Sequence, residues 1–155
     1  MGRYPYAKDK RSDKDFKHYI EVGLANQQTF LDGLKRDFGM TSIVCRENKF
    51  GVVDAYLPDA FVLGRHGWFL TEIKVTFRNI TTSLDLKSNQ IDKLADMKGM
   101  LLYSNANWFG ICDAETIIEK GAKEFSNRLN KECYIVSKDI FKWYKFKSPL
   151  NLQEY

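Results

Sequence analysis

The sequence predicts a single α/β domain, a mixed sheet of about five strands flanked by helices, and three observations carry that expectation. Residues 57 to 76, LPDAFVLGRHGWFLTEIKVT, read as strand, turn and strand. Asp15 to Phe38 repeats apolar residues at helical spacing, and short apolar runs then alternate with amphipathic segments as far as Lys145. A chain of 155 residues is also long enough to bury one sizeable core.

Taken in order, residues 1 to 14 place Arg3, Lys8, Lys10, Arg11 and Lys14 among Tyr4 and Tyr6 without apolar periodicity, so they are expected to form a flexible basic arm ahead of the domain at 15 to 155. Lys10 and Arg11 are candidates for phosphate contact, and a solvated tail is the plain alternative. In Asp15 to Phe38 the residues Phe16, Ile20, Leu24, Leu31, Leu34 and Phe38 fall on one stripe, with Phe30 at its edge and Gly39 as the stop. Gln27 sits near the centre of that stripe and Glu21 sits off it. Thr41 to Arg46 and Phe50 to Tyr56 read as strands around the polar turn Glu47-Asn48-Lys49.

The apolar segment Ala60 to Leu63 is turned back by Gly64-Arg65-His66-Gly67 onto the strand Phe69 to Thr76. A polar loop, Phe77 to Ser83, comes next. Ser88 to Lys98 reads as a short helix with Ser88 as N-cap and Gly99 as stop, its inner face carrying Gln90, Leu94 and Met97. Met100 to Tyr103 and Trp108 to Cys112 are strands either side of Ser104-Asn105-Ala106-Asn107. Ile117 to Leu129 has a helical pattern, Tyr134 to Val136 suggests a strand, and Ser137 caps an expected last helix, Lys138 to Lys145. The aromatics Phe141, Trp143 and Tyr144 of that helix are expected to pack in the core or against a second copy.

Composition narrows the function classes. The net charge of +4 is mildly basic, and the excess lies toward both ends: six Lys or Arg against three Asp from Met1 to Lys17, and four Lys against two acids from Lys138 to Tyr155. That balance permits a nucleic-acid partner. Cys45, Cys112 and Cys133 are odd in number, widely separated and without a CxxC pair, so they read as small buried hydrophobes in a reducing compartment. Four thiolates for an iron-sulfur cluster are absent, and His18 and His66 are too few and too separated for a zinc site or a catalytic triad. No apolar run reaches the length of a membrane span and the N-terminus is polar, so an intracellular protein, cytoplasmic or in a host cytoplasm if viral, is expected.

Strand alternation supplies the site. From Phe69 to Thr76 one face carries Leu70, Glu72, Lys74 and Thr76. If Leu63 faces Trp68 across the turn, the same register sets Asp59 opposite Glu72, within side-chain reach. Two carboxylates of this kind suit Mg²⁺ or Mn²⁺, with the rest of the shell from water and substrate phosphates. A lysine beside such an ion can orient an attacking water while the ion polarises a phosphoryl oxygen, which is phosphodiester hydrolysis. A solvated cross-strand ion pair is the competing reading of the same residues. Asp54 lies in an apolar strand and is a further candidate for the ion; a turn or surface role competes for it.

Pro58-Asp59, a twelve-residue spacer and Glu72-Ile73-Lys74 resemble the signature of the PD-(D/E)xK nuclease superfamily. The resemblance implies a restriction-endonuclease-like core in which Asp59 and Glu72 bind the metal, the Ile73 carbonyl completes its shell and Lys74 positions the water. It also makes Glu21, on the first helix, a candidate site residue, and gives Gln90 a place lining the active site. The order Pro-Asp, Glu-x-Lys, Thr/Ser-rich loop, glutamine helix and apolar strand, over Leu57 to Asp113, is similar to Holliday-junction resolvases, including the RecU type. Small phage-type nucleases share much of it. Arg78, in the loop after the Glu-x-Lys strand, is a candidate for phosphate contact. The expected activity is Mg²⁺-dependent cleavage of DNA, branched DNA above all, by a homodimer with two active sites. An endonuclease acting on linear DNA and a catalytically silent nucleic-acid-binding module of the same fold are the alternatives.

Overall fold

The computed structural model describes residues 13–45 and 58–154. The basic arm with Lys10 and Arg11, the expected strand Phe50 to Tyr56 and Asp54 lie outside the described residues. Strand β1 is Ser42–Val44, β2 is Ala60–Gly64 and β3 is Gly67–Val75. β2 and β3 form the expected hairpin, with Leu63 opposite Trp68 and Ala60 opposite Thr71. Gly67 closes the turn at φ 116°, a conformation that only glycine adopts without strain.

From β3 the chain passes through strand β4 (Ser83–Lys87) and helix α2 (Ser88–Asp96) before returning as β5 (Met100–Ser104), parallel to β3. β6 (Trp108–Asp113) and β9 (Lys142–Lys145) continue the sheet antiparallel, and β1 adds to β2 at the other edge. The result is a mixed six-stranded sheet in the order β1-β2-β3-β5-β6-β9. Strands β7 (Ala122–Ser126) and β8 (Lys131–Ser137) join β4 in a second, three-stranded antiparallel sheet, in the order β4-β8-β7.

Apolar residues cover both faces of the six-stranded sheet, as a strand such as Met100-Leu101-Leu102 demands when consecutive side chains point to opposite sides. Leu102, with Ala60, Val62, Ile73 and Phe109, packs against Phe30, Leu31 and Leu34 of helix α1 (Asp13–Phe38). Leu101 and Cys112 pack on the other side against Ile91 and Leu94 of α2, Ile117 of helix α3 (Ala114–Lys120), and Leu84, Leu86 and Val136 of the second sheet. Each such side chain, once buried, contributes about 1.5–3 kcal/mol. Cys112 and Cys133 are buried in agreement with their reading as small hydrophobes, and burial pushes the Cys112 thiol up to about 11; Cys45 is half-buried.

Several segments depart from expectation for identifiable reasons. Helix α1 is unbroken, but its buried line is Val22, Asn26, Phe30, Leu31 and Leu34, while Ile20 and Leu24 are 46 % and 60 % exposed. At 1.5 Å per residue its 26 residues extend for roughly 39 Å, longer than the roughly 30 Å of nine-residue β3, so its first turns stand beyond the sheet. Its remaining side is covered by the C-terminal segment: Asn26 exchanges two hydrogen bonds with the Gln153 backbone, at 2.8 and 2.9 Å. Leu150 also sits so close to Gly33 that a Cβ there would lie 2.5 Å from its Cδ2.

The helix expected over Ile117 to Leu129 is α3 alone. The Asp113 side chain caps it by accepting the Thr116 N–H at 3.0 Å, and residues 122–126 turn instead into β7, whose backbone is satisfied by β8. Ser137 does act as a cap, but only for one 3-10 turn, Lys138–Ile140. Lys142–Lys145 is strand β9, because the open edge of β6 offers backbone partners and its face offers Phe109, on which Tyr144 stacks at 5.2 Å. Ser88 is the first residue of α2, with Lys87 at the cap position and no side-chain cap. Leu84 to Lys87, given no element from sequence, is β4.

At the end of α2 the left-handed residue is Lys98, with φ 58°, and not the glycine after it. An L side chain in that conformation costs about 1–2 kcal/mol, and glycine gives back part of this as unfolded-chain entropy, about 0.4–1 kcal/mol. Lys98→Gly is therefore expected to stabilise the protein by about 0.5–1 kcal/mol, although it removes the exposed Lys98–Glu115 pair at 3.4 Å. A urea unfolding midpoint lower than that of the parent contradicts this.

Candidate active site

Continuing the β2–β3 register one pair beyond Ala60 and Thr71 sets Asp59 opposite Glu72. The backbone there is already engaged, since the Asp59 N–H donates to the Thr71 carbonyl at 2.9 Å and the Cys45 N–H donates to the Asp59 carbonyl at 2.9 Å. The Asp59 side chain bends onto β3, where its Oδ2 accepts the Ile73 N–H at 2.7 Å. A carboxylate held by a strand amide cannot swing into solvent, so Asp59 is fixed at the mouth of the hairpin beside Glu72, which is 7 % exposed.

Glu72 and Lys74 share the strand face turned toward α2, as alternation requires, because Ile73 between them packs against α1. The Lys74 Nζ donates to the Gln90 Oε1 at 2.8 Å. Gln90 is held in turn by the setting of α2, which Asp92 ties to the second sheet by accepting the Tyr134 hydroxyl at 2.6 Å. That bond pushes the Tyr134 pKa up to about 12.

Asp59, Glu72, Ile73 and Lys74 line one cleft of about 490 Å³. Its far wall is the first half of α1, through Tyr19, Ile20, Leu24 and Gln27, so Ile20 and Leu24 face the cleft and not the core. Glu21 is exposed and is not among the residues lining the cleft; Gln27 is the polar residue α1 contributes. Arg78 is exposed in the loop after β3 and also lies off this lining, with its N–H bonded to the Thr76 hydroxyl at 3.2 Å.

Three residues that sequence reasoning did not single out, Asp85, Lys87 and Arg128, also line the cleft. The signal was present in Ser83-Leu84-Asp85-Leu86-Lys87, whose strict alternation buries Leu84 and Leu86 and turns Asp85 and Lys87 to the other side. Burial pushes the Lys87 pKa down, the nearby Lys74 ammonium and then Lys131 push it further down, and Glu72 opposes them. Lys74, Lys87 and Glu72 are thus mutually within electrostatic reach. Arg128 approaches Asp85 at 3.6 Å.

As donors the cleft offers the carboxylates of Asp59, Glu72 and Asp85, all hard oxygens. Among the described residues no group of three or more His, Cys, Asp and Glu side chains is placed to hold an ion. Carboxylate oxygens are the donor type that Mg²⁺ and Mn²⁺ take, with the other ligands coming from water and phosphate. The cations around the carboxylates suit a substrate that brings its own negative charge.

No family model matches the chain, and no curated protein sequence matches it. Among solved structures it is similar to Hjc, a Holliday junction resolvase from the archaeal hyperthermophile Archaeoglobus fulgidus. The TM-score is 0.52 at 12 % identity, covering 77 % of this chain and 91 % of that one. The likeness is one of fold: the mixed α/β architecture, with its six-stranded sheet and three helices, matches the core of that nuclease. No helix among the described residues is long and apolar enough to cross a membrane.

If Lys74 and Lys87 face the same cleft, removing the first ammonium relieves the second. In Lys74→Ala the Lys87 pKa is expected to rise back toward its ordinary value of 10.5, read from the Lys87 side-chain resonances in an NMR titration. A Lys87 titration unchanged by the substitution contradicts the shared site.

Proposed function

We propose that the chain is a divalent-cation-dependent DNA endonuclease that acts on branched DNA in the manner of a Holliday-junction resolvase. The observation that carries the reading is the convergence in one cleft of the Asp59 carboxylate, pinned by the Ile73 N–H at 2.7 Å, with Glu72 and Lys74, whose ammonium is held at 2.8 Å by Gln90 from outside the cleft lining. The fold it shares with an archaeal Holliday junction resolvase supports a structure-selective nuclease at a coarse level, and the substrate of this chain is inferred from there. DNA as the partner of this chain is proposed from the same likeness.

Asp59 and Glu72 would hold Mg²⁺ or Mn²⁺, with the Ile73 carbonyl as a third oxygen. When bound, the ion supplies Lewis-acid polarisation of the phosphate and charge neutralisation. Lys74 keeps its ammonium at the strand face, where it can hold the attacking water and steady developing negative charge. Gln90 fixes the direction in which that ammonium points by accepting one of its protons, which leaves two for water and phosphate. Lys87 and Arg128 add positive charge to the cleft wall and attract the DNA backbone. Water forms the new bond to phosphorus as the bond to the sugar oxygen breaks. Cutting a junction symmetrically takes two such sites, so the working form is a homodimer with one cleft per chain.

Purified protein with Mg²⁺ is expected to cleave a synthetic four-way junction in preference to a matched linear duplex. Asp59→Ala, Glu72→Gln and Lys74→Ala are each expected to lower the rate by about 100-fold or more while DNA binding is retained, and Gln90→Ala by about 10-fold. Equal rates on junction and duplex overturn the structure-selective reading. An Asp59→Ala protein as active as its parent overturns the site, and absence of cleavage by the parent, with DNA still bound, points to a silent binding module.

A further inference from the structure

A second cavity, of about 380 Å³, lies at the same end of the six-stranded sheet, lined by Asn79, Ile80, Asn105, Trp108, Lys138 and Trp143. Its place relative to the first cleft follows from register. Lys74 is beside Tyr103, Tyr103 beside Gly110, and Gly110 beside Trp143, so a straight row of residues on one sheet face joins the two sites. Three strand spacings put Trp143 roughly 14 Å from the backbone of Lys74. The loop leaving β3 runs the same way: the Thr76 N–H donates to the Ser104 carbonyl at 2.8 Å before Asn79 and Ile80 reach the cavity.

The walls of this cavity are planar and set in place. Trp143 lies flat on Gly110, where a Cβ would come within 2.7 Å of the indole, and its Nε1–H donates to the Lys138 carbonyl at 2.8 Å. Trp108 shares the same face two residues before Gly110, is 41 % exposed, and carries the Lys145 ammonium 5.8 Å above its ring. Asn105 shapes the floor by accepting the Asn107 and Trp108 N–H groups, each at 2.9 Å. Asn79 is exposed at the rim and offers both a donor and an acceptor.

We infer that this cavity binds one unpaired nucleobase of the DNA strand held in the active-site cleft. The exposed Trp108 indole offers a stacking surface, which every base can use whatever its sequence, and Trp143 closes the cavity behind it. Asn79 can pair with the polar edge of an extruded base, and Lys138 and Lys145 can meet the phosphates on either side of it. The volume falls within the range of small-ligand sites. A stacked duplex presents no free base face, whereas a branch point, bulge or frayed end does. A base seated here thus makes the protein choose distorted DNA, with the captured base within about four stacked base steps of the cut.

The identity of the strand rests on the nuclease reading, so the test avoids cleavage altogether. Binding of a fluorescent hexathymidine and of a six-unit abasic strand with the same phosphates is compared by anisotropy in EDTA. The parent is expected to bind the base-bearing strand about 10-fold tighter, the worth of one base–aromatic stack. Trp108→Ala is expected to remove that preference while leaving the affinity for the abasic strand unchanged, and Trp108→Phe to keep it. Asn79→Ala, at an exposed position that does not threaten folding, is expected to weaken the base-bearing strand alone by about threefold. Equal affinity of the parent for the two strands overturns the inference, as does a preference that survives both Trp108→Ala and Asn79→Ala. Because no divalent ion is present, cleavage can fail while the base preference holds, and the preference can fail while junction cleavage holds.

Discussion

The hydrogen bond from the Ile73 amide to the Asp59 carboxylate is the contact on which the rest of the site depends. It sits where the β2–β3 ladder runs out, so a side chain takes over a donor that would otherwise be left at the end of the hairpin. Folding thereby does the work of orientation. The same bond that terminates the hairpin fixes Asp59 in the cleft that Glu72 also lines, and the alternation that buries Ile73 against α1 turns Glu72 and Lys74 to the other side. Apolar packing and the position of charged groups are two consequences of one register.

Around that bond, the neighbouring elements either hold the site or shape what enters it. Helix α2 is locked to the second sheet by Asp92 and Tyr134, and through Gln90 it sets the lysine. The stretch of α1 from Tyr19 to Gln27 becomes a wall of the cleft with a largely apolar lining. The short strand β4 carries Asp85 and Lys87 into the same space, where burial first and then the nearby Lys74 push the Lys87 pKa down. A site whose cations already repel one another is poised for an anionic substrate, which a phosphodiester backbone supplies.

The hairpin was legible in the sequence because strand alternation and a Gly-bounded two-residue turn leave one register that keeps Val62 and Ile73 on the core side. The α/β class and, within α1, the buried residues Phe30, Leu31 and Leu34 were legible for the same reason, namely long, strongly periodic segments. What sequence did not show was decided by pairing at a distance. Residues 122–126 and Lys142–Lys145 have residue spacing compatible with a helix, yet each meets an open strand edge, β8 and β6, and the ladder prevails over local preference. Ile20 and Leu24 obey the helical stripe, but they face the cleft and are not packed in the core. Neither Gln90 nor Glu21, both suggested by resemblance, is found among the residues that line the cleft; Gln90 reaches it through its bond to Lys74.

The claim that Asp59 and Glu72 together hold a divalent ion is tested most directly by anomalous diffraction from a crystal soaked in Mn²⁺. One peak is expected for each chain in the cleft, about 2.0–2.2 Å from oxygens of both carboxylates, with Lys74 close by and no sulfur or imidazole ligand. A peak bound through Asp85 or another carboxylate, with Asp59 and Glu72 uninvolved, contradicts the account.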